Sequence, residues 1–332
     1  MQNNGFTLTL SDEERLSLEK ATEPFSSLSP FPSKDSHFLV EIELAKKDVP
    51  TRIARELIEF RKKSNEYGTL LIRNLPVDSS LPPTPRDGRV CPKPSYVSEC
   101  NLLFLMSFLG QFIGYADEKD GELIHNICPI PGQEEKQENS GSVFLEFHTE
   151  NAFHPYKPDY VGLFCLRPDH DLQAKTGTAS AHRALTQVSS RVVELLRQPL
   201  YQNRLAPSFA HTNDTALYSA PLSILSGDFF EPEVCIDFFS TEALNPAADS
   251  ALQIFKAALM KVTVEHVLQP GDLIIVDNRA AAHSRTSFKP RYDGYDRWLQ
   301  RLFVVEDFRR SRKSRPKGEH ICTSVAIEFS LT

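Results

Sequence analysis

The sequence predicts a mainly β fold with flanking helices, a sandwich or jelly roll. Short apolar runs bounded by turn residues recur at 143–148, 160–166, 177–181, 234–239, 272–276 and 301–305, which is the pattern of many short strands. Helical stretches interrupt them at 190–197 and 247–260 and are expected to pack outside the sheets. Composition agrees with a globular chain: of 332 residues, 40% are hydrophobic and 24% charged.

Taken in order, Leu10 to Pro24 opens with Ser11-Asp12-Glu13-Glu14, a helix start in which a capping residue precedes acids that favour the positive end of the helix dipole. Ser26 to Ser36 is rich in Ser and Pro and reads as loop. Asp48-Val49-Pro50 leads into Thr51 to Ser64, where Ile53, Leu57, Ile58 and Phe60 recur at helical spacing. Gly68 to Arg73 reads as a buried strand. Residues 75–97, with six prolines (Pro76, Pro82, Pro83, Pro85, Pro92 and Pro94), read as an irregular excursion. Val97 to Gly110 suits a buried helix, Glu122 to Ile127 begins the strand series, and Pro131 to Ser142 is a polar, mobile segment. The basic run Arg309 to Arg315 is expected to be a solvated loop. Residues 1–95 are therefore expected to form an extension packed on a core of residues 96–332, within one structural domain.

A formal net charge of −7 argues against a general nucleic-acid binder. No stretch is apolar enough to predict a membrane span, and Met1 to Gly5 gives no secretory signal, so the cytoplasm is expected. Six scattered cysteines without a CxxC pair, several inside apolar runs, read as reduced core residues.

The chemistry concentrates in three places. In Phe147-His148-Thr149-Glu150 the histidine and glutamate are two apart, so an extended chain presents both to one face. This spacing is common by chance. A second element strengthens it: Pro270-Gly271-Asp272 is a tight turn, Leu273 to Val276 a buried strand, and Asp277-Asn278 turns the chain toward His283. Two imidazoles and one carboxylate leave three octahedral positions open, the facial set of non-haem Fe(II) oxygenases. The HExxH helix of many zinc hydrolases is absent. Third, Arg297 and Arg301 stand where the chain re-enters a strand. Guanidinium groups grip carboxylates bidentately, although for two arginines taken in isolation surface ion pairs are the favoured reading.

Together these blocks resemble the clavaminate synthase-like branch of the Fe(II)/2-oxoglutarate oxygenases, which includes hydroxylases of free L-arginine, L-lysine and L-asparagine. The resemblance rests on residues 121–129, 148–155, 159–163, 283–285 and 291–301, in that order. It implies a double-stranded β-helix (jelly roll), with Fe(II) held by His148, Glu150 and His283 and with 2-oxoglutarate and O2 as co-substrates. It implies that Arg297 pairs with the distal carboxylate of 2-oxoglutarate, assisted by Thr178 or its neighbour Thr176. Arg301 would hold the carboxylate of a small-molecule amino-acid substrate, Glu118 and Asn139 its amino group and backbone, and Asp237 its side chain. A carboxylate at Glu150 favours hydroxylation, since halogenating relatives carry Gly or Ala there.

Arginine-hydroxylating relatives carry a second aspartate two residues before the position of Asp237, where this chain has Cys235. A single carboxylate suits a compact ammonium better than a guanidinium, so L-lysine (or L-ornithine) is expected ahead of L-arginine. L-asparagine and L-glutamine also fit an acceptor at Asp237. Desaturation or ring closure is an alternative outcome on the same scaffold. A jelly-roll ligand-binding module without catalysis is the alternative from another class.

Overall fold

The structure is a computed structural model that describes residues 6–28, 36–206, 209, 218–316 and 319–324; most of the predicted Ser/Pro loop at 26–36 lies outside them. Its framework is a seven-stranded sheet ordered Thr7–Thr9, Thr69–Arg73, Leu273–Asp277, Tyr160–Arg167, Trp298–Val305 and Gln111–Phe112, with Ile124–Ile127 also paired to Trp298–Val305. Strand residues alternate between its faces. Leu70, Ile72, Tyr160, Phe164, Leu273, Ile275, Leu302 and Val304 pack outward against helices. Leu71, Val161, Leu163, Ile274, Leu299, Phe303 and Val305 pack inward. Buried on both sides, these strands read as continuous apolar runs.

A second, four-stranded sheet is ordered Val264–His266, Thr176–Ser180, Ala281–Arg285 and Leu145–His148. Its outward residues Phe147, Ala179 and Ala282 join a cluster with Leu252, Phe255 and Leu259. Those three belong to the helix Pro246–Val262, whose buried residues recur at helical spacing and whose N-terminus is capped by Asn245. The alternate residues Thr178, His148 and His283 therefore face the sheet's other side. Residues 278–280 carry the chain from Leu273–Asp277 in one sheet to Ala281–Arg285 in the other, a jelly-roll crossing.

The N-terminal residues are built into this framework. Thr7–Thr9 and Thr69–Arg73 supply one edge of the large sheet, and the helices Asp12–Ser26, Ser36–Ala45 and Thr51–Lys63 cover its outer face. Asp12–Ser26 carries the expected capping box between Ser11 and Glu14. Ser36–Ala45 is a helix that the sequence reading lacks, because its nearly continuous apolar run has no clear period. The helix at 97 ends at Met106 and is buried all round, as its composition suggests. The expected strand at 234–239 stops at Val234, because the Asp237 carboxylate caps a turn through the Phe239 N–H (2.9 Å) and the Ser240 hydroxyl (2.6 Å). Pro131 to Ser142 forms turns pinned by the Ser142 N–H to the Glu134 carbonyl at 2.8 Å. In the basic run, Arg310 and Arg315 bond back to the protein while Arg309, Arg312 and Lys313 are exposed. None of the six cysteines forms a disulfide, and four of them are buried. No helix among the described residues is long and apolar enough to cross a membrane.

The proline-rich excursion is anchored by a buried ionic cluster. Lys93 Nζ lies 2.7 Å from Asp78 and from Glu99, and Glu99 accepts from Gln300 Nε2 at 2.7 Å. Gln300 precedes Arg301, so the cluster ties the excursion to the strand carrying both candidate arginines. Replacing Lys93 with methionine would strand two buried carboxylates and is expected to cost about 3–5 kcal/mol. Urea unfolding followed by the fluorescence of the single tryptophan, Trp298, measures it. A loss below about 1 kcal/mol, the range of exposed pairs, would show that the cluster does not hold the excursion.

Candidate active site

The small sheet aligns the first two candidate ligands. Leu145–His148 and Ala281–Arg285 run antiparallel with His148 directly opposite His283, and the imidazole centroids are 4.3 Å apart. Glu150 Oε1 lies 3.4 Å from His283 Nε2 and 4.0 Å from His148 Nε2. One ligand atom from each of the three residues falls within 4.8 Å of the others. The His148 Nδ1–H donates to the Glu146 carbonyl at 2.8 Å, which leaves Nε2 as a lone pair facing the cluster.

Glu150 is positioned through its backbone. Asn278, fully buried in the turn between the sheets, accepts from the Glu150 N–H at 2.7 Å. Its amide donates to the Glu150 carbonyl at 3.2 Å and to the Pro158 carbonyl at 2.8 Å. This clamp joins the His148–Glu150 motif to the segment carrying His283. The sequence reading used Asn278 only as a turn residue; an Asn between a buried strand and a candidate ligand was the available signal.

Arg301 sits on the inward face of Trp298–Val305 and is 1% exposed. Its Nη1 donates to both oxygens of Glu150 at 3.1 Å, and its Nη2 bonds Glu118 and, at 2.8 Å, His125 Nδ1. His125 Nε2–H donates to the Glu122 carbonyl at 2.8 Å, so the ring is a neutral spacer, and burial followed by Arg301 pushes its pKa well down. Burial raises the Glu150 carboxyl, but Arg301 and the two imidazoles outweigh it and hold Glu150 ionised well below the usual range. For Glu118 burial wins despite Arg301, and the pKa is raised.

A cavity of about 230 Å³ opens over this cluster. Its lining includes Glu118, Asn139, His148, Glu150, Asp237 and Arg301, so the structure brings all of these candidates to one space. Asp237 bridges to His148 as a neighbouring-strand partner. His154 instead packs behind the motif: it accepts the Tyr156 N–H at 3.0 Å, and burial pushes its pKa down to about 3.

The remaining candidates lie deeper. Arg297 is 6% exposed and has no hydrogen bond or ion pair among the described residues. Thr178 stands opposite His283 in the strand register, and Thr176 opposite Arg285. The Thr176 hydroxyl is buried without a partner, as is Nε of Arg285. Burial, and next to it Arg297, pushes the Arg285 guanidinium down to about 9. Two buried guanidiniums with so few partners make a place for an anion. The donor set and these orphaned groups both fit Fe(II) with a dicarboxylate beside it.

Residues 38–303 match the family described as taurine catabolism dioxygenase TauD, TfdA family. The chain is 41% identical to an L-asparagine oxygenase of Streptomyces coelicolor, over 82% of this chain and 81% of that protein. It is 32% identical to an L-lysine 3-hydroxylase of Catenulispora acidiphila, over 93% and 86%. It superposes with TM-score 0.91 on an asparagine oxygenase crystallised with Fe(II), 2S,3S-3-hydroxyasparagine and succinate, at 36% identity, covering 96% of this chain and 100% of that one. The chain belongs to the TauD/TfdA family, within its clavaminate synthase-like group, and is a dioxygenase that uses Fe(II), 2-oxoglutarate and O2.

Proposed function

We propose that this dioxygenase hydroxylates an unactivated carbon of a free L-amino acid, and that L-asparagine is the substrate its pocket fits best. One observation carries the reading: a carboxylate anchor (Arg301), an ammonium anchor (Glu118) and a side-chain anchor (Asp237) line a single cavity with His148 and Glu150. In this reading His148, Glu150 and His283 hold Fe(II). Bound iron and 2-oxoglutarate supply the oxidising power, so that O2 places one oxygen in the substrate C–H bond and the other in succinate, with release of CO2.

The protein's own contribution is placement. Arg297 would take the distal carboxylate of 2-oxoglutarate. Thr176 suits the assisting hydroxyl better than Thr178, because its strand partner is Arg285 and its unbonded hydroxyl is fully buried. Fixing the substrate at both ends decides which carbon is exposed to attack.

L-Asparagine is favoured because both Asp237 oxygens already accept a bond within their own turn. A carboxylate so compensated suits the neutral N–H donors of a carboxamide. L-Lysine is the second reading: Asp237 has no ion-pair partner among the described residues, and the lysine 3-hydroxylase is related over nearly the whole chain.

Titrating metal-free protein with Fe(II) under anaerobic conditions is expected to raise its thermal midpoint, and a chelator to reverse this. Glu150→Ala is expected to remove most of that response, and Asn278→Ala to weaken Fe(II) binding on the order of 10–100-fold. An unchanged affinity in Glu150→Ala would refute the ligand set.

Arg297→Ala is expected to raise the KM for 2-oxoglutarate while leaving Fe(II) affinity intact. Wild-type KM in that variant would assign the co-substrate elsewhere. The substrate is tested by supplying free L-amino acids with Fe(II), ascorbate and 2-oxoglutarate while following succinate and product mass. L-Asparagine is expected to give the greatest stimulation and a mass gain of one oxygen. Asp237→Ala is expected to lose that preference; if preference and affinity survive, Asp237 is not the side-chain anchor.

A further inference from the structure

We propose that Thr149 is a positioning residue for substrate selection, its hydroxyl registering the Asp237 segment against the metal motif. Thr149 lies between two candidate ligands. It follows the strand end at His148, and its hydroxyl is committed to Ile236 rather than to the ion. It is nevertheless 1% exposed, and both its N–H and its hydroxyl bond Ile236. The Thr149 N–H donates to the Ile236 carbonyl at 2.7 Å. The hydroxyl donates to the same carbonyl at 3.1 Å and accepts the Ile236 N–H at 3.1 Å. Both backbone groups of Ile236 are thereby held by one residue.

Ile236 immediately precedes Asp237. The regular strand has ended at Val234, so ladder bonding no longer sets the register of this segment. What continues it along Leu145–His148 is the Thr149 staple, the His148–Asp237 bridge and the Phe238 N–H to the Phe147 carbonyl at 3.0 Å. Of these three only the first uses a side chain, and it can be removed without altering either candidate ligand or Asp237; the Thr241 hydroxyl, which accepts the Asp237 N–H at 3.0 Å, holds the segment from its other side. Without the hydroxyl the Ile236 N–H is buried and unpaired, and the segment gains by shifting toward another acceptor. A shift at Asp237 moves the far end of the substrate, and a small displacement there changes which carbon is presented.

The inference rests on the reading of Asp237 as the side-chain anchor. The experiment compares wild type, Thr149→Val and Thr149→Ser for four quantities: amino-acid KM, 2-oxoglutarate KM, Fe(II) affinity without substrate, and succinate formed per hydroxylated product. In Thr149→Val the kcat/KM for the amino acid is expected to fall on the order of ten- to a hundred-fold. Succinate is expected to outrun hydroxylated product, while Fe(II) affinity and 2-oxoglutarate KM stay within about twofold. Thr149→Ser, which keeps the hydroxyl, is expected to restore coupling. Should Thr149→Val not fold, Thr149→Ala carries the same comparison. Wild-type coupling and amino-acid KM in the hydroxyl-free variant would overturn the proposal. A parallel loss of Fe(II) affinity would also overturn it, by showing that the hydroxyl supports the metal motif itself. If no amino acid stimulates succinate formation in wild type, or Asp237→Ala changes nothing, the underlying functional reading fails instead.

Discussion

The site depends on one strand pairing, in which Leu145–His148 and Ala281–Arg285 bring His148 opposite His283. Side chains alternate with a period of two, so a slip of one residue would turn one imidazole into the apolar cluster beneath helix Pro246–Val262. That cluster opposes the slip, because Phe147 and Ala282 occupy it when the histidines face the other way. The third candidate ligand is beyond the strand end, where ladder bonds no longer fix it. There Asn278 replaces the ladder, with reciprocal bonds to the Glu150 backbone.

Charge is arranged with the same economy. Arg301 is buried at the centre of two carboxylates and a neutral imidazole; with the two candidate-ligand imidazoles it outweighs burial at Glu150, whereas at Glu118 burial still prevails. Its Nη1 spans both oxygens of Glu150, the group that a bound cation would claim. With Glu150 so committed, Arg301 would keep Glu118 and His125 as fixed partners and turn its freed donors to a substrate carboxylate. The buried Lys93 cluster lies behind this strand and bonds Gln300, whose side chain leaves the opposite face. The strand thus presents chemistry on one side and anchorage on the other.

Much of this was legible in the sequence because it follows from local spacing. Two residues in an extended run share a face, a Pro-Gly-Asp turn precedes a buried strand, and the Ser11 capping box opens a helix. Glu118, Asn139 and Asp237 were placed through family resemblance, and they line the cavity that the structure forms. What local spacing could not provide was register between distant segments. Thr176 and Thr178 are alike as sequence; only the pairing that sets one against Arg285 and the other against His283 separates them. The early end of the 234–239 strand was hidden for a related reason. The apolar run continues through Phe239, but Asp237 commits its carboxylate to its own turn. Asn278 and Thr149 looked like a turn residue and a spacer, since their partners lie far along the chain.

These hidden residues have a common character. Asn278, Thr149 and Gln300 each use a neutral side chain to fix the backbone or carboxylate of another segment. A neutral clamp can sit at full burial once its bonds are met, whereas an added charge would have perturbed the carboxylates and imidazoles around it. Trp298–Val305 separates charge from clamp within one strand: Arg301 faces the cavity, and neutral Gln300 anchors the opposite face through Glu99. With Asp237 as the side-chain anchor proposed above, substrate preference would change by altering the segment that carries it while the two histidines and Glu150 stay fixed.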